Sequence, residues 1–281
     1  MKEVSSWSHL GRCDPLVTPY FGGENVNYIV QYNELIQSGK IPASKRVKAI
    51  YKRLAKESQQ KLINRKYVFD IEKAMRPIKF IEIICRHSKG EWAGENIRLE
   101  LFQKAFIQAL FGFVERKSGL RRYREAFFLC GRKNGKTTLI AGIALYMLTA
   151  DKEIGAEVYT AATKYAQARL LFDEAHNMVK LFPDLSVLCR KRKNDLYYEP
   201  TMSKMQPLSR NSDSLDGLSE YASPHTIRRI CSVPKKQPLC SISTFKTSNS
   251  FFCSFTSVSF TKTILRNSDK RTSPPIKTDN F

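Results

Sequence analysis

Apolar residues recur at helical spacing through the first third of the chain, then give way to short apolar runs, and this change of period divides the sequence. Spacing over 28–37 and 44–57 predicts two helices, the second opened by Pro42 and Ser44 as start signals. Its polar side carries Lys45, Arg46, Lys48, Lys52, Arg53 and Lys56, which reads either as a solvated face or as a surface for DNA. Residues 70–87 read as a helix pair broken at Pro77, with Asp70 as the N-cap. A loop over 88–96 holds Trp92. Over 99–114, Leu99, Phe102, Phe106, Leu110 and Phe113 repeat at three- and four-residue steps, which predicts a strongly amphipathic helix.

From 124 onward the order is that of a sheet covered by helices. Residues 124–130 form a short apolar run suited to a buried strand, 131–135 a tight loop, and 136–149 a helix. A second strand is predicted at 156–161, a second helix at 164–181, and further strands at 196–199 and 204–208. Strand, glycine loop, helix and strand in this order predict an α/β fold with a parallel sheet, whose ligand sits at the strand ends. The chain then divides into an irregular lead-in rich in Gly, Ser and Pro (1–27), a helical subdomain (28–118), an α/β core (119–218) and a tail (219–281).

Composition changes this picture in three places. The formal net charge of +21 favours a polyanionic partner, with nucleic acid ahead of an anionic membrane surface. The seven cysteines are scattered singly, without a CxxC pair or a histidine at ligand spacing, which argues against zinc and for a reducing cytoplasm. The longest apolar stretch, 139–150, is too short to cross a bilayer, and 1–23 has no apolar signal core, so neither membrane insertion nor secretion is expected.

The chemistry concentrates in one run: Phe127-Phe128-Leu129-Cys130-Gly131-Arg132-Lys133-Asn134-Gly135-Lys136-Thr137-Thr138. Gly135 allows the backbone to come close to phosphate oxygens in conformations that a side chain would forbid. Loop N–H groups, from Gly131 through Thr138, and the positive end of the following helix would hold a polyphosphate. Lys136 would reach the β- and γ-phosphates of ATP, and the Thr137 hydroxyl would bind Mg²⁺. The spacing departs from the common GxxxxGK[ST] form, which would put glycine at Cys130; here it lies one residue later.

Several segments taken in order resemble the large terminase subunit of tailed phages, in the branch that includes HK97-like viruses. They are Tyr67-Val68-Phe69-Asp70, Lys89-Gly90-Glu91-Trp92-Ala93-Gly94, Leu101-Phe102-Gln103-Lys104, Gly119-Leu120-Arg121-Arg122-Tyr123-Arg124, the phosphate-loop run, and Ala161-Ala162-Thr163-Lys164. The likeness extends over about 28–218, and in that family the shifted, arginine-containing loop is the usual form. The resemblance implies a P-loop NTPase: the N-terminal motor part of an enzyme that couples ATP hydrolysis to packaging of double-stranded DNA. By the same resemblance the motor acts as a homo-oligomer at the procapsid portal in the bacterial host cytoplasm, with a small terminase subunit and the portal protein as partners. It also implies that Gln103 and Phe102 lie at the adenine, that Gly131, Lys133, Asn134, Gly135, Lys136, Thr137 and Thr138 hold the phosphates, and that Arg132 senses the γ-phosphate. On spacing alone, Gln103 and Phe102 fit an ordinary helix face equally well.

A motor of this kind also needs an apolar strand ending in two carboxylates, due shortly after Asp213-Ser214-Leu215-Asp216-Gly217-Leu218. The chain continues instead with Ser219-Glu220-Tyr221, and no carboxylate occurs between Glu220 and Asp269. Residues 219–281 have no glycine, are nearly a third Ser plus Thr, and carry ten Lys or Arg against three Asp or Glu. This composition fits a disordered basic tail or, as we favour, an out-of-frame product of a gene interrupted near codon 218. A nuclease site needs several converging carboxylates, and Asp269 and Asp279 do not supply them. Turnover is therefore expected to be weak or absent.

Two other readings stand beside the motor fragment. One is a non-catalytic basic protein that binds DNA or a portal partner. The other is a helicase-like NTPase using Asp173-Glu174-Ala175-His176 as a DEAH box, against which the helical spacing of 165–181 argues. His176 itself reads as an exposed helix residue.

Overall fold

A computed structural model describes residues 25–60, 63, 66–131, 134–162 and 165–209, and the backbone of three strands at 229–232, 251–255 and 262–267. The lead-in 1–24 and the remainder of 210–281 lie outside the described residues, and with them most of the predicted tail.

The first part is helical. Helix α1 (Tyr28–Gln37) and helix α2 (Lys45–Ser58) form where apolar spacing placed them. The Ser44 hydroxyl accepts from the Val47 amide at 3.3 Å and caps α2, while Val47, Tyr51, Leu54 and Ala55 form its buried row. Strand β1 (Tyr67–Phe69) leads into α3 (Ile71–Ile84), where Asp70 caps the Lys73 amide at 3.0 Å. The helix pair expected around Pro77 is not formed; α3 is one helix with Pro77 inside it. Proline removes a hydrogen bond to the carbonyl four residues back, but Pro77 is buried with Ala74, Ile78 and Ile81, and that burial offsets the loss.

Helix α4 (Leu101–Gly112) departs from the amphipathic expectation, since every residue from Ala105 to Gly112 is buried. It is the central helix of this part, packed against both α1 and α3. Among its buried residues is Gln108, whose carbonyl accepts from the Tyr28 amide at 2.7 Å and the Ile29 amide at 3.3 Å. Its amide group donates to the Val26 carbonyl at 2.7 Å, so one buried side chain satisfies the start of α1. Strand β2 (Phe113–Glu115) follows α4 at once and pairs antiparallel with β1, a small sheet that the apolar pattern did not announce.

The turn into β2 leaves no room for a side chain at Gly112. A Cβ there would lie 2.5 Å from Phe69 Cε2 and 2.8 Å from Ala74 Cβ, atoms held by β1 and α3. Gly112→Ala is expected to destabilise the chain by about 1–3 kcal/mol through overpacking. Urea unfolding checks this, and an unchanged midpoint would show that the β1–α3 corner yields freely.

The second part is, among the described residues, an eight-stranded sheet, ordered β10 (Lys262–Asn267), β3 (Tyr123–Leu129), β8 (Arg229–Ser232), β9 (Phe251–Phe255), β4 (Glu157–Ala162), β7 (Ser203–Ser209), β6 (Leu196–Tyr198) and β5 (Cys189–Lys191). Strand β3 (Tyr123–Leu129) leads to α5 (Lys136–Thr149), and β4 (Glu157–Ala162) leads to α6 (Tyr165–Leu181). After α7 (Pro183–Leu188) the chain returns through β5 (Cys189–Lys191), β6 (Leu196–Tyr198) and β7 (Ser203–Ser209). Strands β4 and β7 run parallel, whereas β5, β6 and β7 are joined antiparallel. Pro207 is tolerated in β7 because the pairing with β6 covers only Ser203, Lys204 and Met205, leaving no donor required of it on that side.

Between β3 and β4 lie two strands from the tail, β8 (Arg229–Ser232) and β9 (Phe251–Phe255), both parallel to their neighbours. Strand β10 (Lys262–Asn267) pairs antiparallel along the outer side of β3. These three segments take strand form within a tail that composition alone read as irregular.

Helix α6 settles two expectations. Asp173 and Glu174 lie within a helix, not at a strand end, so the DEAH reading is not supported. Asp173 faces Arg169 at 3.5 Å, and Glu174 accepts from the Ser88 hydroxyl at 2.7 Å. His176 is buried at 7 % exposure, not exposed as its helix position had implied, and neither ring nitrogen has a hydrogen-bond partner among the described residues. Burial holds its pKa below the ordinary value, helped by Lys191 and Lys180 and opposed by Asp173.

The pH dependence follows in sign. Above pH about 6.5 the imidazole is neutral in both states. As pH falls below that value the unfolded chain takes up a proton that the folded chain resists, so stability declines until the folded value is reached. His176→Leu is expected to flatten this part of the profile between pH 7.5 and 5.5. Melting curves across that window test it, and an unaltered slope would place the dependence elsewhere.

Candidate nucleotide site

The loop between β3 and α5 is built from both parts of the molecule. Phe128 in β3 is buried and packs against α4, its ring centroid 4.7 Å from that of Phe106 and 6.3 Å, nearly parallel, from that of Phe102. This contact fixes where the strand ends. Cys130 follows, buried, and its thiol pKa is raised by that burial and partly lowered by the Lys136 charge nearby. Gly131 is half-buried; Arg132 and Lys133 lie outside the described residues.

Gly135 occupies the N-cap of α5 with φ 64° and ψ 17°, the left-handed region that favours glycine. It brings no capping side chain, so the first-turn amides of α5 are left for another acceptor. A Cβ at Gly135 would also stand 3.3 Å from Gln103 Nε2. That amide group donates to the Asn134 carbonyl at 3.3 Å, while Gln103 Oε1 accepts from the Glu100 amide at 3.0 Å. Gln103 is 5 % exposed and thus ties the start of α4 to the loop.

Lys136 is the first residue of α5 and is 8 % exposed, whereas Thr137 and Thr138 are half-buried. The rest of α5, from Leu139 to Thr149, is buried at every position, which anchors the helix whose N-terminus opens at the loop. Gly131, Asn134, Gly135, Lys136, Thr137, Thr138, Gln103 and Phe102 are therefore brought into one region. The glycine that permits the loop, the helix start and a buried ammonium suit a polyphosphate. Among the described residues no group of three or more His, Cys, Asp or Glu could hold a metal ion.

A profile of the family described as "Terminase large subunit, ATPase domain" matches residues 101–247, more than half of the chain. The chain belongs to this terminase family. The match includes α4, the glycine loop, α5, β4, α6 and β8, and it continues past Leu218, where the segment-by-segment resemblance stops.

The large terminase subunit of Enterobacteria phage HK97 is 37 % identical over 111 residues, which is 39 % of this chain and 21 % of that protein. The chain thus spans about a fifth of the length of this curated relative. The crystal structure of the HK97 large terminase superposes with a TM-score of 0.47 and 24 % identity, over 66 % of this chain and 38 % of that one. The ATPase domain of the Thermus phage P74-26 large terminase gives 0.36 and 15 %, over 58 % and 66 %. Among the described residues no helix is long and apolar enough to cross a membrane.

Sequence reasoning assigned no role to two buried residues near this region. Gln108, five residues beyond Gln103 on α4, bonds the start of α1 and not the loop. Cys130 was noted only as the position where a glycine was absent. The first could have been found from its place amid buried neighbours, because a buried amide demands partners.

Proposed function

We propose that residues 131–138 bind Mg-ATP, in the ATPase part of a motor that packages double-stranded DNA. The observation that carries this reading is Gly135, left-handed and without a capping side chain, at the start of a buried helix inside the family match. Lys136 would hold the β- and γ-phosphates, Thr137 the Mg²⁺, and Arg132 would sense the γ-phosphate. The loop amides would carry the remaining charge. Mg²⁺, when bound with ATP, would neutralise charge developing on the phosphates. Gln103 would report the occupied base side to Asn134 through its hydrogen bond, with Phe102 beside it.

Hydrolysis is the weaker half of the activity. Turnover needs a carboxylate on a strand next to the phosphate loop to orient the attacking water. The strands placed between β3 and β4 are Arg229-Ile230-Cys231-Ser232 and Phe251-Phe252-Cys253-Ser254-Phe255, and neither contains an acid. We therefore assign this chain ATP binding with little or no turnover. Phosphate release from Mg-ATP, measured with and without duplex DNA, is expected to stay at the level of a protein-free blank. A DNA-stimulated rate that disappears in Lys136→Ala would overturn the assignment of weak turnover.

A non-catalytic DNA-binding role is favoured by one further feature. On α2 the side chains of Lys45, Arg46, Lys52, Arg53 and Lys56 are exposed while the opposite row is buried. Such a face would bind phosphates without sequence preference, and its affinity for a duplex would fall steeply as salt rises. This role and ATP binding are compatible in one chain. The homo-oligomer, portal and small-subunit partners belong to the whole motor and are proposed on the same footing.

A further inference from the structure

At the end of α5 opposite the phosphate loop, a cavity of about 210 Å³ lies between α3, the turn into β3 and the end of α5. Its lining includes four cations, Lys73, Arg76, Arg121 and Lys152, and one carboxylate, Asp151. We infer that this cavity is an anion site that takes a phosphate group.

The carboxylate does not neutralise it. Asp151 is paired with Arg121 through Nη2, and the two side chains are 7 % and 10 % exposed. Arg121 Nη1 is buried and has no hydrogen-bond partner among the described residues. A buried guanidinium nitrogen left this way costs free energy unless an acceptor enters the cavity. The guanidinium cannot turn away, because it is held over the Phe111 ring at 4.7 Å and tied to Asp151. Lys73, Arg76 and Lys152 have no carboxylate partner among the described residues. The left-handed Gly119, φ 69°, brings the turn under Lys73, whose Nζ would lie 3.3 Å from a Cβ at that position.

The donor set selects the ligand. Lys73 and Arg76 belong to α3, Arg121 to the turn into β3, and Lys152 follows α5, so the cations reach the wall from three places, while the Ser118 hydroxyl there donates to Glu115. A planar carboxylate offers two oxygens, whereas a phosphate offers three or more in a tetrahedral arrangement, which suits donors arriving from several directions. The cavity has room for such a group with its remaining waters. It is separate from the nucleotide loop: α5 begins at Lys136, the cavity borders Ala150, and a helix of that length spans roughly 20 Å. A free oxyanion and a backbone phosphate of DNA present the same chemistry to these donors.

The test uses the full chain carrying Lys136→Ala, so that the nucleotide loop contributes less phosphate binding. Inorganic phosphate is titrated calorimetrically into this protein and into the same protein with Lys73→Gln, Arg76→Gln and Lys152→Gln. Because those three side chains lack carboxylate partners, the variant is expected to melt at the same temperature without phosphate. It should lose phosphate affinity by tenfold or more and lose the phosphate-induced rise in melting temperature. A second arm measures binding of a short duplex DNA to the same pair. A parallel loss of duplex affinity identifies backbone phosphate as the source, and a loss confined to inorganic phosphate identifies a free oxyanion. Unchanged affinity for both overturns the site.

Discussion

Replacing Lys136 with alanine is expected to weaken Mg-ATP binding by roughly a hundredfold, the equivalent of about 3 kcal/mol for a hydrogen bond to a charged group. The ammonium is held at the first position of α5, in a side chain only 8 % exposed, where water screens it little. Alanine keeps the helix start, since Gly135 supplies the turn and α5 is anchored by its buried length from Leu139 onward. The variant should therefore unfold cooperatively while losing the nucleotide. Equilibrium binding of a fluorescent ATP analogue, with melting curves as the fold control, measures both quantities. Wild-type affinity in a folded Lys136→Ala protein would mean that triphosphate does not enter at this loop.

The largest expected effect on stability lies away from the loop, at Arg122. Its guanidinium bonds Glu57 of α2 at 2.7 Å, with side-chain exposures of 6 % and 15 %. It also lies near the rings of Tyr67 and Tyr123, each at 5.2 Å, and of Phe113 at 5.9 Å. Glu57→Ala removes the countercharge and leaves a buried cation whose Nε already lacks a partner among the described residues, at an expected cost of about 3–5 kcal/mol. Replacing both partners, Glu57→Leu with Arg122→Met, removes charge and countercharge together and should recover most of that loss. Urea denaturation of the two single variants and the double variant measures the coupling. A loss below about 1 kcal/mol for Glu57→Ala would show that water reaches the guanidinium and screens it.

The two sites differ in how visible they were beforehand. The glycine loop could be read because its parts are neighbours in sequence: a strand, Gly135, Lys136 and Thr137 in succession. In the sequence Arg122 belongs only to the 119–124 segment likeness and carries no role of its own. Its partners Glu57, Tyr67 and Phe113 come from three separate elements, and no local pattern brings them together. Gln103 lies between these cases. Its place at the start of α4 was legible, but the bond to the Asn134 carbonyl depends on how α4 packs against β3.

The errors have the same origin. Pro77 was read as a break because its lost hydrogen bond is local, yet the burial that offsets it comes from the neighbouring helices. The α4 pattern was read as one-sided, although partners cover the helix on all sides from Ala105 to Gly112. His176 followed a helix row correctly and was still misplaced, since burial is decided by what packs on that row.

By itself the sequence determined the features set within a turn or two of the chain. These are the bounds of α1 and α5, the caps at Ser44 and Asp70, the helical state of 165–181, and the glycine at the start of α5. Each depends on hydrogen bonds between residues three or four apart or on one residue's backbone freedom, so composition and spacing suffice. Only the tertiary structure decided the strand order, with β8 and β9 between β3 and β4, the burial of His176 and Gln108, and the convergence of cations around Arg121. Those depend on contacts between segments far apart in the chain, where free energy is gained from packing and charge pairing that no short window of sequence contains.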